Sequence, residues 1–184
     1  MNSEWRLTME ITSEQRRTLK INIISHIRKN HAMEHATIHM LAKMLPKVSF
    51  SGYSIHKGFW IIGKAELQDV HKAAEMALAK LRNGDSKLAI HPNCGTNLAV
   101  TGLCVAGAAL LTTHGLKDDD PLSSKFSAFV TAGMAGVLAS RPLGPRVQQW
   151  ITTDPDVQKL SIDSINLSHL RGTPAFFVKT RLDD

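Results

Sequence analysis

Two short segments of this sequence carry side chains that could do chemistry together. In the first, HAMEHATIH, His31 and His35 stand four residues apart, a spacing that on a helix puts both imidazoles on one face, within reach of one ion. Glu34 completes an H-x-x-E-H order, the inverted zinc-peptidase arrangement, in which two histidines hold the metal and the glutamate takes a proton from water. His39 is two turns from His31, about 12 Å along a helix axis, too far to share the ion. It is expected to partner a neighbouring group instead. The second segment, HPNCGTN, offers His91 and Cys94 in a tight H-x-x-C turn followed by Gly95. Imidazole plus thiolate at that spacing suits zinc. The expectation is one site, with His31, His35, His91 and Cys94 as metal ligands, Glu34 as catalytic base, and Zn2+ or another divalent transition metal as cofactor.

Three chemistries compete for these residues. With three protein ligands the ion keeps a position open for water, and the protein is a metal-dependent hydrolase, peptidase-like in its motif. The third-ligand glutamate of inverted zinc peptidases has only Glu66 and Glu75 as downstream candidates here. With all four ligands bound the site is closed and structural, and the protein is a scaffold or binding module. Without metal, Cys94 near a helix start could act as a nucleophile with His35 or His91 as base. His56, His71, His114 and His169 read as solvated, and Met33, Met40 and Met44 as core.

The elements that must position the site follow from periodicity. A helix starts near Thr12, with Thr12 and Gln15 at capping-box spacing, and runs with apolar residues at helical intervals to Pro46. SGYSIHKGFWIIG, Ser51 to Gly63, reads as a β-hairpin. Glu66 to Leu81 is an amphipathic helix ended by Asn83-Gly84. Lys87 to Ile90 reads as a short strand leading to His91. PLGP, Pro142 to Pro145, reads as a turn before an amphipathic piece through Trp150. KLSIDSINL and PAFFVKTRL around Arg171-Gly172 read as a second hairpin. The fold class expected is helix-rich α+β, with a small mixed sheet and a two-helix apolar hairpin.

That apolar hairpin, residues 97–140, is expected to be inserted into a single α+β domain of residues 1–184 whose body is 12–96 and 141–184. Asn97 to Gly115 makes a helix of about 28 Å, close to the thickness of a bilayer's hydrocarbon core. Ala128, Ala132, Gly136 and Ser140 form a small-residue seam that lets helix backbones approach and offers a route to homo-oligomers. The composition, Lys+Arg 22 against Asp+Glu 16 for a formal +6, suits an anionic surface. Aromatics at 5% are too few for a base-stacking platform, so nucleic acid is not an expected partner and membrane lipid is. Basic residues Lys80, Arg82, Lys87, Arg141 and Arg146 outside the hairpin place both termini in the cytoplasm if it inserts. The alternative is a soluble cytoplasmic protein with a buried helical hairpin. No signal-peptide pattern opens the sequence, and Cys94 and Cys104 are expected as free thiols.

Four motifs, His31–Thr37, the GFWIIG stretch Gly58–Gly63, Ala89–Asn97 and Pro142–Pro145 with Thr152-Thr153, resemble those of an uncharacterised bacterial domain-of-unknown-function family. More distantly the chain is similar to YqhQ-type bacterial membrane proteins, which share the H-x-x-E-H and H-P-x-C-G-T elements. The resemblance implies that His31, Glu34, His35, His91 and Cys94 form one constellation, and that the chain sits in the bacterial cytoplasmic membrane. It implies no substrate.

Overall fold

A computed structural model describes residues 13–183. The Thr12 end of the expected first-helix cap lies outside them. The first helix, α1 (Ser13–Met44), is 32 residues long and ends where Leu45 and Pro46 break its pattern. Two strands follow, β1 (Ser51–Ile55) and β2 (Gly58–Ile62), then α2 (Leu67–Arg82). Glu66 and Asp69 close a capping box at the start of α2, and Asn83 caps its end. Two long apolar helices, α3 (Gly95–Thr113) and α4 (Leu122–Val147), precede the closing hairpin of β3 (Leu160–Leu170) and β4 (Thr173–Leu182). Arg171 and Gly172, both at positive φ (50 and 82), make the tight turn between β3 and β4.

The four strands form one sheet in the order β1-β2-β4-β3. Its pairings are all antiparallel rather than mixed, because β1–β2 and β3–β4 are hairpins and β4 returns alongside β2. Phe59 and Ile61 of β2 face Val178 and Phe176 of β4, and all four are fully buried. Against them lie Met33, Met40 and Leu41 of α1 and Val70, Ala73 and Ala77 of α2. The apolar alternation of the strands and the apolar stripes of the helices meet in this one core. Its effect is to seat α1 against the β1–β2 side of the sheet. The opposite sheet face carries an aromatic row, with Trp60 5.0 Å from Phe177 and 6.2 Å from Tyr53 between ring centroids.

Three local expectations are corrected. Residues expected as a strand from Lys87 to Ile90 form a turn of 3-10 helix, Ser86–Ala89. Among the described residues no strand pairs with them, and the tight turn frees the Ala89 and Ile90 carbonyls for side chains of α1. The P-L-G-P segment is not a turn. Pro142 and Pro145 lie inside α4, since proline's fixed φ is compatible with a helix even though its missing N–H leaves a carbonyl unpaired one turn back. Packing holds the helix together there. Ser140 Oγ lies 2.9 Å from Thr101 Oγ1, and a Cβ on Gly144 would meet Asn97 Oδ1 at 2.4 Å. The amphipathic piece expected after it is instead a π-helical turn, Gln148–Thr152.

The hairpin of α3 and α4 packs mainly on itself. At Gly136 an added Cβ would stand 2.8 Å from the Cys104 carbonyl oxygen and the Val105 Cα, and Gly136, Ser140 and Gly144 are the buried positions of α4. The small-residue seam therefore joins the two helices to each other and extends one turn beyond Ser140. Both helices are long and apolar enough to cross a membrane, and only 6% of either apolar window is buried. Leu103, Leu111, Phe126 and Met134 all point outward, each more than 60% exposed.

Candidate metal centre

The side chains named from the sequence converge between α1, β1 and the turn that starts α3. His31 Nε2 lies 3.3 Å from Cys94 Sγ, and one donor atom each of His31, His35 and Cys94 lies within 4.8 Å of the others. The His31 and His35 rings meet edge-on at 4.3 Å between centroids, as their one-turn separation requires. Each ring is oriented by a main-chain carbonyl on its far side. His31 Nδ1–H donates to Thr152 O at 2.9 Å, and His35 Nδ1–H donates to Ala89 O at 2.7 Å. With Nδ1 committed to these carbonyls, both Nε2 atoms face inward, the orientation that metal-ligating histidines adopt.

Cys94 is also the residue that caps α3. Its Sγ accepts the Thr96 N–H at 3.4 Å, so the thiol stands at a helix start where negative charge is favoured. Although burial opposes ionisation, the His31 and His35 rings and the Thr96 amide draw the Cys94 pKa down to about 5. The His31 pKa moves the other way: burial lowers it, but Cys94 and the Thr152 carbonyl outweigh burial and raise it. Without metal the two shifts both favour a thiolate–imidazolium pair. Alkylation of Cys94 by iodoacetamide in the metal-free protein should therefore rise through about pH 5, well below the roughly 8.5 of an ordinary thiol. Zinc should then suppress it. A midpoint at the ordinary thiol value would remove the thiolate from this picture.

Glu34 is 5% exposed and accepts the Ser54 hydroxyl at 2.6 Å. Burial raises its carboxyl above the usual carboxylate range, against the pull of Ser54, His35 and His31. Gly52 allows β1 to pass close to it, since a Cβ there would stand 3.0 Å from Glu34 Oε1. His91 is beside the cluster rather than in it, its ring centroid 5.6 Å from His35 and 5.0 Å from His39. Burial and the neighbouring His35 and His39 push the His91 pKa down to about 4, so it is neutral at ordinary pH. His39 donates from Nε2 to Ile90 O at 2.9 Å, fixing the approach to the turn. A cavity of about 410 Å3 opens over the cluster, with Glu34, His91 and β1 in its walls.

Sequence reasoning missed the groups that hold the turn. Gln148, fully buried, accepts the His91 N–H on Oε1 at 2.9 Å and donates from Nε2 to His91 O at 3.1 Å and to Asn97 Oδ1 at 2.7 Å. Asn97 Nδ2 in turn donates to Pro92 O at 2.7 Å. A glutamine in a stretch that reads as amphipathic helix gives no local signal of such a role. The π-turn, a feature frequent at functional sites, places Gln148 and the Thr152 carbonyl on the same side. Cys104, the other cysteine, is free and lies within α3, away from the cluster.

Comparison with known proteins agrees with the motifs. An uncharacterized protein of Picosynechococcus sp. is 34% identical over 168 residues, covering 86% of this chain and 80% of its own length. No solved structure matches. Residues 26–165, which contain α1's histidines, the H-P-N-C turn, both apolar helices and the π-turn, match a family of unknown function. The chain belongs to the family described as Domain of unknown function (DUF6391).

Proposed function

We propose that the protein is a membrane-associated zinc enzyme, a hydrolase whose metal is held by His31, His35 and Cys94 at the foot of the α3–α4 hairpin. The observation that carries this reading is the pair of Nδ1–H to carbonyl bonds that turns two Nε2 atoms toward one cysteine sulfur. Three such donors suit borderline-soft zinc better than magnesium or calcium, which take oxygen. Zinc bound this way supplies Lewis-acid activation of a water or carbonyl. The chain's own contribution is Glu34, a buried carboxylate of raised pKa beside the cavity over the cluster, suited to accept a proton.

Membrane insertion supports the same arrangement. The outward leucines and phenylalanines of α3 and α4 have no protein to cover them among the described residues. Trp150 and Ile151, 68% and 63% exposed at the end of α4, suit the interfacial region where aromatic side chains collect. Arg141, Arg146 and Lys87 at that end support a reading in which the site and both termini face the cytoplasmic side of a bacterial membrane.

The second reading is a closed structural site with His91 as fourth ligand, favoured by a neutral His91 ring 5.6 Å from that of His35. Metal analysis and X-ray absorption on the full chain in detergent separate the two. The enzyme reading expects one zinc with two imidazoles, one sulfur and one oxygen, retained in His91→Ala. Four protein donors, with zinc lost from His91→Ala, would make the site structural. No stoichiometric zinc would remove both.

A further inference from the structure

The cavity over the cluster is bounded by Ser51, Gly52, Tyr53 and Ser54, four consecutive residues of β1. Side chains alternate between the two faces of a strand, so a cavity that touches all four runs along the strand's edge and not over one face. β1 is an outer strand of the sheet. Among the described residues, the β1 main-chain group bonded outside its ladder with β2 is the Ile55 carbonyl, which accepts from Asn30 at 2.8 Å. The main-chain groups from Ser51 to Ser54 that face away from β2 therefore lie open along the cavity. An open strand edge is a template for one chemical partner above others, another extended backbone.

The opposite wall has matching length. Ile27, His31, Glu34, His35 and Ile38 lie along one face of α1 and all border the cavity. From Ile27 to Ile38 the helix rises about 16 Å, the length of roughly five residues of extended chain. The ends of this wall are apolar and its centre holds the cluster. Gly52 leaves room at that centre, where a side chain would press on Glu34.

We propose that the edge of β1 receives an extended polypeptide segment as an added strand and lays one of its carbonyls over the cluster, so that the substrate class is a peptide bond. This rests on the open-site reading above. In the reaction, water's oxygen bonds to the carbonyl carbon while Glu34 takes the proton, the carbon–nitrogen bond breaks, and the leaving nitrogen takes that proton. Water's second proton stays with the acyl product, so the products are a carboxylic acid and an amine, which pass that proton between them to end as carboxylate and ammonium, with no oxidant or reductant involved.

The test uses the full chain in detergent, zinc-loaded and carrying Glu34→Gln so that bound peptide survives. A fluorescein-labelled ten-residue peptide is selected from a library by anisotropy, then resynthesised with single backbone amides replaced by esters. Strand addition expects weakening at alternate positions by about 2- to 13-fold each, the worth of one hydrogen bond, with little change between them. No binder in the library, or losses without a period of two, would overturn the proposal. Failure of the zinc reading is separately visible. Hydrolysis of small activated esters by the wild-type protein, without peptide binding, would leave the enzyme standing and remove only the strand-addition site.

Discussion

His35→Asn should abolish stoichiometric zinc binding while leaving the fold intact. The asparagine Nδ2 stands about where the His35 Nδ1 stands, so it can keep donating to the Ala89 carbonyl, but nothing replaces Nε2. His35→Ala removes both. It leaves a buried carbonyl unpaired at a cost of about 1–3 kcal/mol and a gap beside a residue only 2% exposed. The two variants therefore separate ligation from support. Thermal unfolding of the metal-free proteins should put His35→Asn near wild type and His35→Ala below it. Both should lose zinc in competition with a chelator by more than the roughly 10–100-fold that follows loss of a group behind a ligand. Zinc retained by both would dismantle the whole constellation, including the roles given to His31 and Cys94.

The sequence carried the cluster further than it carried its frame. The four-residue spacing of His31 and His35 survives folding because a helix of this length has no freedom to separate them, and the core residues Met33, Met40 and Leu41 fix which face they share. Cys94 joins them because imidazole and thiol at H-x-x-C spacing suit one site, although the same cysteine also caps α3. The same motif groups His91 with them, but a motif sets only sequence distance. The turn is anchored at the His91 main chain by Gln148, and the ring is left facing His35 and His39 rather than joined to the cluster. Both β-hairpins were legible from their turns and β-branched strands. The 3-10 turn before His91 and the helical P-L-G-P were not, since each depends on a distant partner: α1's histidines for the first, Asn97 and Thr101 of α3 for the second.

That dependence links the hairpin to the chemistry. The Thr152 carbonyl that sets the His31 tautomer and the Gln148 side chain that braces the H-P-N-C turn both belong to the turn that ends α4. Arg28 of α1 fastens the same turn, donating to Trp150 O at 3.1 Å and Thr153 O at 3.0 Å. The His31–His35–Cys94 cluster is therefore supported by one helix of the apolar hairpin and by one packed on the sheet. A cluster at this junction is held from both sides.

Glu34→Gln provides the largest effect on turnover without loss of metal. The introduced glutamine keeps an oxygen for the Ser54 hydroxyl, and the substituted atom is not one of the cluster's donors. Zinc content should match wild type while kcat falls by about 10^2- to 10^4-fold, the usual contribution of a positioned base. The wild-type rate should also lose activity as pH falls through the raised Glu34 pKa, above the range of an ordinary carboxylate, and that acid limb should vanish in the variant's residual rate. Stability should run the opposite way. A carboxyl whose folded pKa is raised favours folding fully below its unfolded value, and that contribution is lost as pH rises through the folded pKa. Above that folded pKa the metal-free wild type bears the cost of a buried charge that the neutral amide of the variant does not. Glu34→Gln should unfold at the same temperature as wild type or higher at pH 7 and lose that advantage in acid. A variant that is less stable at neutral pH and equally active would assign Glu34 to structure alone, and with it remove the hydrolase.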